Sequence, residues 1–401
     1  YLNFSKLMKP LDKKSQFNNY LLSVRKFTNE VLIPDEEILE KEGVVSEKIM
    51  SQIKALRLFG ISIPEKYGGL EFTMEEQVFL TFEFTRASSV YRSRFASTIG
   101  LCSQALLDFG TTEQKVKWLP GMAKGDIVGS FALTEPNAGS DANAIETTAT
   151  KKDDSYLLNG TKKYITNAPY ADVFLLMAKT DKSLKGSKGI SSFIFDTKLP
   201  GIKIGEIPEM LGQRGSAPTE VFFKNCEVPS SSLLGGKEGG GLKPALRGIN
   251  HARLHVAATC VGQATRLIKE AINFSNSRIQ FGTPISDMPV IQNMIADSYT
   301  QMVAAKSMTI AAARNFDSGE IPETSIAAAK YFASEMVSKV ADNCLQVMGG
   351  AGFMEDNVIT RFYRDTRLFR LYEGTSQIQQ RNIARAIICL LYTSPSPRDA
   401  T

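Results

Sequence analysis

Histidine, tryptophan and cysteine are scarce in this 401-residue chain, and each scarcity removes a class of function. There are two histidines, one tryptophan and five cysteines. The cysteines (Cys102, Cys226, Cys260, Cys344 and Cys389) include no CxxC pair. That argues against a disulfide framework and fits reduced thiols in a cytosol-like compartment, four of them reading as small core residues. No apolar run reaches the roughly 18 residues of a membrane span. No block of five like charges occurs, so the net charge of +5 is spread out. A nucleic-acid surface is not indicated, and only a modest preference for anionic ligands is. No P-loop is present, and Gly349-Gly350-Ala351-Gly352 has the wrong spacing for GxGxxG, which argues against Rossmann and Walker phosphate sites. His251 and His255 stand four apart, as in zinc helices. However, Ala252 occupies the place of a metalloprotease glutamate and no third ligand is evident. No metal is expected, and a helical surface or pocket-lining pair is the better reading.

What remains is an ordinary globular composition, 43% hydrophobic and 22% charged, long enough for two or three domains. Helical periodicity runs to about residue 128, with Leu80, Phe82 and Phe84 interrupting it. Short β-branched and aromatic runs follow at 145–149, 172–178, 192–195 and 220–223. Asn159-Gly160 and Pro200-Gly201 read as turn dipeptides between them, so this part suggests a small barrel or sandwich. A glycine-rich linker spans 235–241. Beyond it, Leu254, Ala257, Val261, Ala264, Ile268 and Ala271 recur at helical spacing, and similar faces cover 304–313, 325–347 and 378–388. The expected fold class is α+β and multi-domain. An N-terminal α-helical domain (1–128) precedes a middle β-barrel or sandwich domain (129–242) and a C-terminal four-helix bundle (243–390). The two prolines of the tail 391–401 cannot continue the last helix, so a disordered end is expected. The chain opens on Tyr1 rather than Met, which leaves a truncated N-terminus or a removed transit peptide open.

Two segments carry candidate chemistry. Thr134–Asp141 joins a strand end to a polar loop, where glycine and serine permit close approach to a planar ligand; on composition alone an ordinary turn is favoured. Glu373 ends the apolar run Leu368–Tyr372 and precedes Gly374-Thr375-Ser376. A lone glutamate is usually a solvated charge. A carboxylate at such a break can be desolvated, which raises its pKa toward that of a general base.

Taken together, several motifs resemble a family. Thr134–Asp141, Gly160–Asn167, Arg278 with Phe281-Gly282, Gln346–Gly350 and Tyr372–Gln377 stand in one order at the right intervals. With Ile63–Gly69 and Gly110–Pro120, they resemble the acyl-CoA dehydrogenases over about residues 20–390. Each motif alone is weak and the ordered set is specific. The resemblance implies bound FAD and a homotetramer built as a dimer of dimers. Phe131, Leu133, Thr134, Gly139 and Ser140 would line the flavin and thioester end, and Tyr164, Ile165 and Thr166 would pack on its ring. Arg278, Gln280 and Phe281 would reach the FAD of a neighbouring subunit. Gln346, Gly349 and Gly350 would hold its adenosine side, with Thr375 and Gln377 completing the cradle. Ser140, Asn250, Arg253, Tyr372, Glu373 and Gly374 would meet the acyl-CoA. Pro289 departs from the pattern where many members have a flavin-contacting Gln, with Gln292 nearby.

The resemblance also implies a reaction. Glu373 takes the α-proton, a β-hydride goes to flavin N5, and a trans-2-enoyl-CoA results, as in fatty-acid β-oxidation. The Glu373 N–H and a flavin ribityl hydroxyl would hold the thioester carbonyl. Electrons would pass to an electron-transferring flavoprotein, in the bacterial cytoplasm or mitochondrial matrix. Some members place the base on the helix of Arg253; here that position is Ala252, which leaves Glu373. Asn250 and Tyr91-Arg92-Ser93 look more like glutaryl-CoA dehydrogenase, whose arginine in that motif binds the distal substrate carboxylate. A surface or interhelix salt bridge is the plainer reading of Arg92. A decarboxylating dicarboxylyl-CoA enzyme, a non-catalytic flavoprotein and an acyl-CoA oxidase are the alternatives. The intact Glu373 motif argues against the second and the modest length against the third.

Overall fold

Side-chain caps start most of the helices of the first third of the chain, Ile33–Glu42 and Ser103–Phe109 excepted. Ser46 accepts from the Ile49 N–H, and Thr73 with Glu76, then Thr111 with Gln114, form reciprocal capping boxes. The computed structural model describes residues 12–319 and 323–393. Seven helices come first: α1 (Lys13–Phe27), α2 (Ile33–Glu42), α3 (Glu47–Ala55), α4 (Met74–Phe84), α5 (Ser89–Ser97), α6 (Ser103–Phe109) and α7 (Thr112–Lys124). Leu80, Phe82 and Phe84 do not interrupt a helix; they lie within α4. Their alternation arises because α4 is buried on two sides. Leu80 and Phe84 enter the N-terminal core, while Phe82 enters the core of the last helices.

Seven strands make one sheet: β1 (Gly129–Ala132), β2 (Thr148–Lys152), β3 (Ser155–Ile165), β4 (Val173–Lys179), β5 (Ile190–Asp196), β6 (Ile202–Ile204) and β7 (Thr219–Pro229). The order is β1-β4-β2-β3-β7-β6, with β5 on β4; β1 and β2 run parallel to β4, and the other pairings are antiparallel. Two local expectations are corrected. Asn159-Gly160 is no turn. It lies inside β3 at a register shift against β7, where Gly160 has φ +148° and an added Cβ would lie 2.5 Å from Thr147 Oγ1. The strand expected at 145–149 begins only at Thr148, because the N–H groups of Glu146 and Thr147 donate to the Glu135 carboxylate rather than to a ladder. Pro200-Gly201 is a turn, with Gly201 at φ +88°.

The helices then resume as α8 (Leu242–Ser277), α9 (Pro289–Asp317), α10 (Glu323–Met348), α11 (Val358–Thr366) and α12 (Ser376–Thr393), with a small hairpin of β8 (Ile279–Gln280) and β9 (Thr283–Pro284) after α8. The six apolar α8 positions singled out in the sequence are all buried. α12 carries the helix to Thr393, so the first three residues of the expected disordered tail are helical; the rest lies outside the described residues. Charged contacts join the first and last helices. Asp317 accepts from the first N–H groups of α4, and Glu36 is buried against Arg361 and Arg266. Of the five cysteines, Cys102, Cys226, Cys260 and Cys344 are buried and Cys389 is exposed. Among the described residues, no helix is long and apolar enough to cross a membrane.

Candidate active site

A short 3-10 turn follows α11, and the chain then reverses at Glu373 and Gly374, both in the left-handed region (φ +54° and +87°). Of the two residues, Glu373 is strained there unless held, while glycine enters the region freely. Three helices hold them. From α8, Arg253 Nε donates to the Glu373 carbonyl at 3.0 Å. From α10, Lys330 Nζ donates to the Gly374 carbonyl at 2.8 Å. From α12, Gln379 Nε2 donates to both carbonyls at 3.0 Å. Asn250 in turn accepts from Arg253 Nη1 at 2.8 Å.

Burial pushes the Glu373 carboxyl above its usual range, against the opposing charges of Arg253, Lys330 and Arg92. Among the described residues none of the three forms an ion pair with it; Arg253 and Lys330 commit donors to backbone carbonyls instead. Arg92, on α5, is 8% exposed, and its Nε has no hydrogen-bond partner. The surface salt bridge expected as its plainer role is absent among the described residues. Burial pushes its guanidinium down to about 10, offset in part by Tyr372 and Glu373. His251 and His255 belong to the same interior rather than a helix surface, their rings 4.9 Å apart. His255 faces Thr81 and Gln77, while His251 Nδ1 is unpartnered. Burial and then Arg92 push His251 down to about 3 and His255 well below its usual value, so both are neutral.

A second constellation lies at the sheet. Ser130 Oγ donates to the Thr166 carbonyl and the Lys163 N–H to the Thr134 carbonyl, so the segments 130–134 and 162–166 run side by side. Lys162, with no exposed side-chain surface, joins them from within, donating to the Leu133 carbonyl and at 2.6 Å to Glu135. Sequence reasoning missed this pair. Phe131 is half-buried and Leu133 and Ile165 are buried, while Tyr164 is 64% exposed at φ +58°. Gly139 and Ser140 lie exposed beyond β1. The remaining expected cofactor residues are not gathered with these. Arg278, Gln280 and Phe281 stand on the exposed β8–β9 hairpin, Phe281 being 96% exposed. Gln346, Gly349 and Gly350 are exposed at the end of α10, and Thr375 and Gln377 flank the start of α12. Gln292 is engaged locally, donating to the Ser286 carbonyl.

Three family models match in succession: the acyl-CoA dehydrogenase N-terminal domain over 18–126, the middle domain over 130–226 and the C-terminal domain over 239–388. The chain belongs to the acyl-CoA dehydrogenase family. A Bacillus subtilis (strain 168) acyl-CoA dehydrogenase is 36% identical over 365 residues, 91% of this chain and 96% of its own. A glutaryl-CoA dehydrogenase from Desulfococcus multivorans is 35% identical over 393 residues, 97% of each. The CarC subunit of the caffeyl-CoA reductase-Etf complex of Acetobacterium woodii is 37% identical over 364 residues, 91% of this chain and 94% of its own. A glutaryl-coenzyme A dehydrogenase solved with glutaryl-CoA superposes with TM-score 0.90 at 34% identity, covering 96% and 97% of the two chains. A Mycobacterium smegmatis glutaryl-CoA dehydrogenase solved with FADH2 gives 0.87 at 27% identity, covering 94% of this chain and 95% of its own.

The protein is thus an acyl-CoA dehydrogenase family oxidoreductase, and the cofactor of the family is FAD. The residues present fit such a group. The stitched segments 130–134 and 162–166 leave the Tyr164 ring exposed, with Lys163 Nζ 5.4 Å from its centroid, and at Gly139, Gly349 and Gly350 an added Cβ would meet nothing within 4 Å.

Proposed function

We propose that the enzyme dehydrogenates an acyl-CoA thioester to the trans-2-enoyl-CoA with Glu373 as base. The observation that carries this is the Glu373–Gly374 turn, whose two carbonyls are fixed by donors from three helices while the carboxylate is desolvated and unpaired. A carboxyl with a raised pKa is a stronger proton acceptor once ionised. Glu373 takes the α-proton, and its own N–H stabilises the charge developing on the thioester oxygen. FAD, when bound, supplies the acceptor for the β-hydride. Phe131, Leu133, Thr134, Gly139, Ser140, Tyr164, Ile165 and Thr166 would hold its ring end. Gln346, Gly349, Gly350, Thr375 and Gln377 would hold the rest. The exposed hairpin carrying Arg278, Gln280 and Phe281 supports a role toward the FAD of a neighbouring subunit, and hence a homotetramer. The relative from an Etf complex supports an electron-transferring flavoprotein as acceptor. The test is flavin bleaching by a panel of acyl-CoAs, followed by dye or flavoprotein reduction; no bleaching with any thioester refutes the proposal.

A second reading concerns the far end of the substrate. A buried arginine with an unpartnered Nε, lying near the Tyr372 phenol and the Glu373 carboxylate, is arranged to receive an anion. Arg92 would then bind the distal carboxylate of a dicarboxylyl-CoA, as the glutaryl-CoA dehydrogenase relatives suggest. Release of carbon dioxide from glutaryl-CoA decides whether decarboxylation follows.

A further inference from the structure

Beyond its bond to the Gly374 carbonyl, the buried charge of Lys330 has no part in the mechanism so far. It sits in the middle of α10 with no exposed surface, and its ammonium donates to the Gly374 carbonyl at 2.8 Å. A fully buried lysine is costly and seldom serves packing alone. Its neighbours are Cys260 and Arg253 on α8, Glu335 one turn along α10, and Glu373 itself; Arg92 on α5 faces Glu373 from another side. Among the described residues it forms no ion pair, because Glu335 pairs with Arg370 and also accepts from Ser376. Its ammonium is therefore bonded to the Glu373–Gly374 turn, with Cys260 and Glu373 as its nearest ionisable company.

We propose that Lys330 is a positioning residue for Glu373: it fastens the left-handed Glu373–Gly374 turn through the Gly374 carbonyl and keeps a fixed positive charge behind the carboxylate. The inference rests on Glu373 being the base. Two functions are separable in principle. The hydrogen bond holds the backbone conformation that points Glu373 and its N–H toward the thioester. The charge favours the ionised carboxylate and so opposes the burial that pushes Glu373 upward. Burial pushes Lys330 itself down to about 8, so below that pH the charge is present.

Lys330→Met removes bond and charge together, and Lys330→Gln removes the charge while keeping an N–H donor. Holoenzyme of each, with wild type, is followed by stopped-flow flavin bleaching across pH and by thermal unfolding. The Met variant should bleach about tenfold or more slowly near neutral pH, with its acid limb moved to higher pH. The Gln variant should recover the wild-type unfolding midpoint and keep the moved limb. An acid limb unmoved in both variants would overturn the proposal and leave Lys330 a packing residue. If the Met variant does not fold, the Gln variant alone carries the pH test. Glu373→Gln is run alongside. Full bleaching there removes the base assignment itself, whereas its loss together with unmoved limbs in the Lys330 variants removes only the role given to Lys330.

Discussion

The interior of this enzyme treats charge in two opposite ways. At the sheet, Lys162 and Glu135 neutralise one another, and Glu135 also accepts from two backbone N–H groups. Burial pushes the Glu135 carboxyl up, but Lys162 and these bonds hold it below the usual range, while burial pushes Lys162 down to about 8. Near the Glu373 turn, three cations surround one carboxylate without pairing to it, and Arg92 Nε and His251 Nδ1 have no partner. A satisfied buried pair fixes a shape. Unsatisfied buried groups cost stability and are kept where a ligand completes them. The first region staples the segments 130–134 and 162–166 together, and the second is the one proposed above to receive substrate.

Substitutions should separate the two. Lys162→Met strands Glu135 in the interior and should cost about 3–5 kcal/mol, with most of it recovered in Lys162→Met/Glu135→Gln; chemical denaturation of the three proteins measures it. A single variant as stable as wild type would break the distinction. Arg92→Met should behave oppositely, leaving stability unchanged or raising it by about 1 kcal/mol. Its turnover of dicarboxylyl-CoA should fall at least about tenfold more than that of monocarboxylyl-CoA. Equal effects on both thioesters would remove the carboxylate role. Gly374→Ala places a Cβ 2.7 Å from Gln379 Nε2 at φ +87° and should cost about 1–2 kcal/mol together with activity.

A further effect is set by pH. His251 is neutral in the fold, its pKa pushed down to about 3, while in the unfolded chain it titrates at its ordinary value of 6.5. As pH falls below that value the unfolded state takes up a proton that the folded state refuses. Stability therefore declines with falling pH, by up to about 1.4 kcal/mol per unit for this group. Wild type should lose stability relative to His251→Gln from pH 7 to pH 5. A constant gap means that His251 does not titrate this way.

The same contrast explains what was legible in the sequence. Apolar residues at helical spacing marked α8, although residues 253–264 of it are buried on every side. That spacing is broken at Leu80, Phe82 and Phe84 in α4, which enter two different cores. Glu373 was visible as a carboxylate at the end of an apolar run, and Arg92 by its motif. The Lys162–Glu135 pair was not visible, since a lysine in an alternating strand reads as solvent-facing and its partner is 27 residues away. Lys330 lay inside an expected helix with nothing local to show that its face was turned inward. Side chains that pair across distant segments leave no spacing to read.

The central claim is that Glu373 removes the α-proton, and single-turnover flavin bleaching of wild type and Glu373→Gln by one good acyl-CoA substrate tests it directly. Bleaching in the variant should be slower by at least about 100-fold, with thioester binding retained. In wild type the rate should rise with pH through a pKa above the ordinary glutamate range. A variant that bleaches at the wild-type rate would contradict the account.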